Sequence, residues 1–473
     1  MGYVNKMRKL LTVLLLVAVS SSLQALPPNG PIPGEAILRF APDAVPDSVI
    51  AGTGAMFVDS ISAPRTFLVT FPAAIPVDTM VNRLQARQGV LKAQPNFKHR
   101  LPEIQQMSQS FPDQNAPAYL EYESPSPYYD QQALTMIEAD SAALFSTGKN
   151  VVVAIIDNGI DVLHPLFYGS IDPNGYDFVD DDYDPDEVPG QVYGHGTFVG
   201  GLIKLIAPDV QLMPMRAFDT AGVATTFDIC EAIYRAIDYQ ADIINMSFGL
   251  YMDYPIIDAA MDDAFRAGVL MVAAAGNDGL AVSAFPAGHD GVLSVAALDS
   301  LEQLADFSNY GDNLDICAPG VNLYSALAGE YDWGRWSGTS FAAPLVTAVC
   351  ALVLSRDADA TPSELHCHIR NSARTDLAWG SVVVPDSLYG FGCLDAYHGV
   401  MSYAYGDMDT SGKLNLADIT AMISFVYLKG TPADINESLG DFNCDGKINL
   451  ADITGVISYV YLHGDDHWPC YRY

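Results

Sequence analysis

The sequence predicts an α/β protein: a central open, mainly parallel sheet with helices on both faces, preceded by a small α+β unit of ferredoxin-like order and followed by a small all-α tail. Three observations point there. Residues 151–156, 242–246, 269–275 and 292–297 are short, near-continuous apolar runs, as strands buried on both faces of a parallel sheet require, and helical periodicity fills stretches between them, as at 227–239 and 255–267. The first hundred residues instead show strand-like runs at 36–40 and 67–71 and a helix-like run at 77–87. Residues 406–418 recur at 440–452, so the tail is an internal duplication.

Residues 1–25 have a basic start (Lys6, Arg8, Lys9), an apolar run at 10–19 and an end of small residues. That is the layout of a secretory signal peptide, too short for a spanning helix, with cleavage after Ser20 or after Ala25. No later run is apolar for long enough to cross a bilayer. Residues 101–130 are rich in Pro, Gln, Ser and Tyr, which reads as an exposed, cleavable linker. The expected divisions are therefore 1–25 signal peptide, 26–115 small unit with its linker, 116–403 α/β domain and 404–473 duplicated tail.

Composition narrows the partners. The net charge of −34, from 57 acidic against 23 basic residues, argues against nucleic acid or an anionic membrane and toward solubility, cations, or both. Seven cysteines in 473 residues are too few for a disulfide framework. Cys230, Cys317 and Cys350 sit in apolar surroundings and read as buried thiols; Cys367 with Cys393 and Cys444 with Cys470 are candidate bridges.

In an open α/β sheet, sites form at the carboxyl ends of the strands, and polar residues gather there. Asp157 follows the apolar run 153–156; His195 stands in Gly194-His195-Gly196-Thr197 at the start of a helical stretch; Asn277 follows the run 269–275; Ser340 lies in Gly338-Thr339-Ser340-Phe341-Ala342-Ala343-Pro344 ahead of an apolar helix. Each alone has a bland reading as a turn, cap or surface residue. Together they are what nucleophilic chemistry needs. Serine is a poor nucleophile at neutral pH, so an imidazole must take its proton and a carboxylate must hold that imidazole in one tautomer. A preorganised amide must then stabilise the oxyanion.

The order Asp, His, Asn, Ser with these flanks resembles the subtilisin-like serine proteases, the subtilases. The matching motifs are Ile155-Ile156-Asp157-Asn158-Gly159-Ile160-Asp161, His195-Gly196-Thr197, Asn245-Met246-Ser247-Phe248-Gly249, residues 273–277, Phe307-Ser308-Asn309-Tyr310-Gly311 and residues 338–344, spread over about 120–400. The resemblance implies an endopeptidase acting on proteins or peptides, with Asp157, His195 and Ser340 as triad and Asn277 as oxyanion amide. It implies that Ser247, Phe248 and Gly249 pair with the substrate backbone, with Ala274 and Gly276 as further substrate-binding positions, and that Phe285-Pro286 is a cis turn. It also makes residues 30–100 a propeptide that assists folding, inhibits the enzyme and is cut away. Phe198 and Phe341 depart from the histidine and methionine many relatives carry there.

Two acidic features suggest cations. Asp177, Asp180, Asp182, Asp184 and Asp186 crowd one short loop, where mutual repulsion calls for a hard cation unless the loop is simply a solvated face. Some subtilases of the thermitase type hold calcium at this place, so one calcium ion in the α/β domain is an expectation. In the tail, Asp407, Asp409, Ser411, Asn415 and Asp418 recur as Asp441, Asn443, Asp445, Asn449 and Asp452, oxygen ligands at the spacing of a calcium loop with glycine at the sharp turn. Aspartate replaces the final EF-hand glutamate, and one helix follows each loop. The duplication resembles a type I dockerin, which implies two calcium ions and a cohesin-bearing scaffold or cell-surface partner. Leu416-Ala417 and Leu450-Ala451 stand where the familiar Ser/Thr recognition pair would be, so a calcium-stabilised tail without a partner stays open. For the whole chain the rival reading is a non-catalytic adhesion or scaffold component.

Overall fold

The computed structural model describes residues 30–101, 119–120, 126–250, 252, 254–329, 333–377, 380–381, 386–401, 416–428 and 447–462. The signal peptide and nearly all of the linker expected from the sequence lie outside these residues. The chain divides into two compact units, Met1–Arg100 and Leu101–Tyr473.

The first unit runs β1 (Pro31–Phe40), α1 (Pro46–Ile50), β2 (Met56–Ile61), β3 (Thr66–Thr70), α2 (Val77–Gln85) and β4 (Val90–Arg100). This is the βαββαβ order of a ferredoxin-like module. Its strands pair antiparallel, β2 with β3, β3 with β1, and β1 with β4, with Ala36 opposite Val69 and Leu38 opposite both Phe67 and Ala93. Alternation puts Ala36, Leu38 and Phe40 on one face, where Met80 and Leu84, one turn apart on α2, close the core. Asp78 in the first turn of α2 and Arg83 in the last complement its dipole.

The second unit begins with β5 (Tyr119–Leu120) and three short helical segments, α3 (Ser126–Tyr129), α4 (Gln132–Met136) and α5 (Ala139–Ala142). The order then becomes β6 (Val152–Asp157), β7 (Tyr176–Asp177), α6 (His195–Ile206), β8 (Gln211–Arg216), β9 (Val223–Thr225), α7 (Thr226–Asp238), β10 (Ile243–Met246), α8 (Pro255–Arg266), β11 (Leu270–Ala274), β12 (Val292–Leu298) and β13 (Ile316–Pro319). A hairpin, β14 (Leu323–Ala326) and β15 (Trp333–Trp336), leads into α9 (Thr339–Leu354), followed by α10 (Pro362–Asn371) and α11 (Ala396–Met401). The seven-stranded sheet has the order β13-β12-β11-β10-β6-β8-β7, and its pairings are parallel throughout.

Local chemistry sets the ends of these elements. Thr225 and Asp228 form a reciprocal capping box that starts α7, and Thr361 with Glu364 does the same for α10. Every residue of α9 is buried, as expected of a helix that is apolar all round, and it packs against α6, β11 and β12. The sheet and the helices α6 and α9 thus share one core, and the amino ends of both helices lie among the carboxyl ends of the strands.

The tail contributes α12 (Leu416–Leu428) and α13 (Leu450–Leu462), the helix that follows each repeat. Ile419, Ala421, Met422, Ile453 and Val456 form an apolar cluster with Cys367 of α10. The expected Cys367–Cys393 bridge is corrected here. Cys393 is a free, buried thiol whose backbone bridges both Cys317 and Arg374, whereas Cys367 is disulfide-bonded to a partner outside the described residues. Cys230, Cys317 and Cys350 are buried and form no disulfide, as the sequence suggests; Cys444 and Cys470 lie outside the described residues.

Candidate active site

Asp157 is the last residue of β6, and its side chain is 1% exposed. Its Oδ1 accepts from the Asn158 backbone amide at 2.8 Å and lies 2.8 Å from Nδ1 of His195, which is fully buried in the first turn of α6. A carboxylate against Nδ1 sets that nitrogen as the proton-bearing one, so in the neutral ring Nε2 is the acceptor. The close approach of β6 to α6 depends on Gly196: a Cβ there would stand 2.0 Å from the Gly159 carbonyl oxygen. The imidazole is walled by aromatic rings, Trp336 at 5.7 Å edge-on and Phe341 at 5.3 Å, with Phe198 4.7 Å behind Phe341. The two departures from the family pattern therefore pack on each other.

Ser340 sits in the first turn of α9, next to Phe341, and its Oγ is buried with no hydrogen-bond partner among the described residues. A buried hydroxyl left unsatisfied is uncommon and is found where a side chain is kept ready for something else. Pro344 contributes to the local arrangement. It lacks the amide that would bond the Ser340 carbonyl four residues back, and the Ser247 hydroxyl donates to that carbonyl instead, at 2.7 Å. Ser247 in turn accepts from Asn245 Nδ2 at 2.9 Å, and the Thr347 hydroxyl donates to Asn245 Oδ1 at 2.8 Å, so neutral groups lock the start of α9 to the end of β10.

Asn277 follows β11. Its Oδ1 accepts from the backbone amide of Thr339 at 2.8 Å and from the Thr339 hydroxyl at 2.9 Å. With the oxygen so held, the orientation of the amide is fixed and its donor end is Nδ2. Gly276 adopts φ +107°, and a Cβ there would stand 2.3 Å from Asn309 Nδ2, which itself donates to the Ala275 carbonyl at 3.1 Å. Ala274 ends β11, and both it and Gly276 are buried. Ser247, Phe248 and Gly249 lie past the end of β10; the side chain of Ser247 points inward and that of Phe248 packs on Phe218 at 5.2 Å, so any approach to a peptide here is through backbone. The Phe285–Pro286 peptide is cis.

Glu187 belongs to none of the motifs in the sequence. Fully buried, it accepts through Oε1 from Asn158 Nδ2 at 2.7 Å and from the Gly194 amide at 2.5 Å, and through Oε2 from the Thr197 amide at 3.2 Å and the Thr197 hydroxyl at 2.5 Å. Burial pushes its carboxyl up to about 7, with the charge of Asp157 adding to the rise, while the Thr197 hydroxyl, the Asn158 side chain and the Gly194 amide pull the other way. The only local clue was an acid just beyond the acidic run.

In the acidic loop the carboxylates meet an arginine and backbone amides. Asp177 and Asp180 both pair with Arg216 at the end of β8, and Asp177 Oδ1 also accepts from the amides of Val179 and Asp180. Asp182 Oδ1 accepts from the Asp184 amide, and Asp186 Oδ1 from the Val162 amide. Among the described residues there is no group of three or more His, Cys, Asp or Glu that could hold a metal ion. The Arg216 guanidinium thus balances part of the loop's charge, at Asp177 and Asp180. Arg235, stacked over Tyr176 at 4.2 Å and Tyr239 at 4.5 Å, adds a second cation beside the loop.

In the tail, Asp407, Asp409, Ser411, Asn415, Asp441, Asn443 and Asp445 lie outside the described residues. Asp418 and Asp452 occupy the same position in the first turns of α12 and α13 and are both fully buried, and Asp452 accepts from the Asn449 amide at 2.7 Å.

A buried carboxylate–imidazole pair beside a serine at a helix start, on a parallel α/β sheet, has the make-up of a serine hydrolase site. The chain belongs to the subtilase family: the Subtilase family model matches residues 148–392, a little over half of the sequence. A second match, to the Dockerin type I domain, spans residues 405–461. Among curated relatives, a thermophilic serine proteinase of Bacillus sp. (strain AK1) is 38% identical over 45% of this chain and 53% of its own length. A halolysin-like extracellular serine protease of Natrialba magadii is 34% identical over 64% of this chain and 57% of its own. The chain thus spans a little over half the length of these relatives. Fervidolysin from Fervidobacterium pennivorans, described as a keratinolytic enzyme related to subtilisin, shares the fold with a TM-score of 0.67 at 23% identity, over 80% of this chain and 62% of that one.

Proposed function

We propose that the protein is a secreted serine endopeptidase. The observation that carries this reading is the buried 2.8 Å pairing of His195 Nδ1 with Asp157, on an imidazole that packs against Phe341, the residue after a serine whose buried hydroxyl has no partner among the described residues. Ser340 Oγ attacks the peptide carbonyl while His195 Nε2 takes its proton, and Asp157 holds the ring and balances its charge. Asn277 Nδ2 and the Ser340 backbone amide stabilise the oxyanion. The C–N bond then breaks as His195 returns the proton to the leaving amine, and water, activated by the same imidazole, hydrolyses the acyl-enzyme. Ser247, Phe248 and Gly249 on one side and Ala274 and Gly276 on the other form the walls along which the substrate backbone lies.

The first unit acts as a propeptide that is removed, and secretion follows the leader at 1–25, in keeping with the extracellular relative. Among the described residues no helix is long and apolar enough to cross a membrane. In the tail, the repeated oxygen ligands ending in Asp418 and Asp452 hold two calcium ions, for which paired, buried carboxylates are suitable donors. Bound calcium supplies the charge that lets the repeats fold, and the module then attaches the enzyme to a cohesin-bearing partner.

Ser340→Ala tests the protease reading against the rival of a non-catalytic scaffold component. Hydrolysis of casein falls to background while the circular dichroism spectrum is unchanged; a variant as active as the wild type contradicts the reading.

A further inference from the structure

We propose that Glu187 is a positioning residue of the active site, a carboxylate that holds the Asp157 strand and the His195 helix in register. The inference rests on the protease reading of the same site. One oxygen binds the side chain of Asn158, the residue after Asp157, together with the amide of Gly194, the residue before His195. The other binds the amide and hydroxyl of Thr197, on the far side of His195. Asn158 completes the link, since its Oδ1 accepts from the Gly196 amide at 2.9 Å. Glu187 therefore grips both flanks of the histidine and the neighbour of its carboxylate partner at once, and it does so from outside the residues that meet the substrate.

Its chemistry suits the task. The first turn of α6 presents amides with no partner in the helix, and all four groups that meet the carboxyl here are donors. A carboxylate alone offers acceptors on both oxygens. Glutamine has the same shape but one acceptor oxygen, so its NH2 must face either Asn158 and Gly194 or Thr197. At either end that NH2 meets a backbone amide, of Gly194 or of Thr197, and one end of the bridge loosens. The pairing of His195 with Asp157 sits inside that bridge, so a small shift there moves the base relative to Ser340. A misplacement of about 1 Å in a reacting group costs on the order of 100-fold in rate.

The test is Glu187→Gln, assayed on a peptide substrate with active sites counted by a sulfonyl fluoride reagent. The expected result is a kcat per titrated site lowered by roughly 10- to 100-fold with KM within about twofold, because the substrate walls are untouched. An unchanged kcat per site overturns the proposal, as does a loss confined to the number of titratable sites. Should Glu187→Gln yield no titratable enzyme, Thr197→Val decides. It removes one bond to the carboxylate, together with the bond that the Thr197 hydroxyl accepts from the Asp161 amide, and lowers kcat by about threefold at constant KM; wild-type turnover overturns the proposal. Ser340→Ala in the same assay keeps the two claims apart. Activity that survives it removes the protease reading, whereas an inactive Ser340→Ala beside a fully active Glu187→Gln removes only the role of Glu187.

Discussion

Two histidines, one in each unit, are equally withdrawn from solvent and chemically unlike. His99, near the end of β4, is 1% exposed, and burial pushes its imidazole down to about 3, so it stays neutral through the ordinary pH range. His195 is 0% exposed, but its Nδ1 faces the Asp157 carboxylate at 2.8 Å and its backbone is gripped on both sides through Glu187. Burial that outweighs every other influence on the ring silences an imidazole. Burial beside an oriented carboxylate lets it carry a positive charge for the length of a reaction, and that makes it a base.

The largest way to break this contrast is Asp157→Asn. It keeps the shape but presents the imidazole with an amide, which favours the wrong tautomer and cannot balance the charge, and so moves His195 toward the condition of His99. On a peptide substrate kcat falls by about four orders of magnitude with KM little changed; a variant within tenfold of the wild type would show that the carboxylate does not set the behaviour of the ring.

The smaller effect lies on the other side. The folded value for His99, about 3, is below its ordinary 6.5, so on acidification the unfolded chain takes up this proton first. The stability tied to neutral His99 is therefore present above about pH 6.5 and is lost as pH falls from there toward 3. His99→Leu removes that loss, and the acid-unfolding midpoint of the full-length protein, followed by circular dichroism, shifts to lower pH. A midpoint unmoved, or moved upward, would mean that burial of His99 contributes nothing to acid sensitivity.

Much of this was legible in the sequence because the chemistry needs particular residues at strand ends. Asp157, Asn277 and Ser340 follow directly on apolar runs or precede an apolar helix, and periodicity alone places such residues at one edge of a parallel sheet. The ferredoxin-like order of the first unit was readable from alternation in the same way. What was not legible depends on pairing across the chain. The Asp177–Asp186 run reads as acidic throughout, and nothing local to it announces that β8 brings Arg216 to pair with Asp177 and Asp180. Glu187 is one more acid just beyond that run until the chain folds it against the start of α6, where hydrogen-bond donors meet it. Cys393 looked like a partner for Cys367 by spacing, yet its backbone is zipped to Cys317 and Arg374 while Cys367 faces the tail helices.

The most direct test of the central claim, that the His195–Asp157 pair activates one serine, is to treat the processed enzyme with a phosphonyl fluoride and map the modified residue by mass spectrometry. The account predicts stoichiometric labelling at Ser340 alone, abolished in Asp157→Asn on the same timescale. Labelling at another serine, or none at Ser340 in enzyme that still cleaves casein, would contradict it.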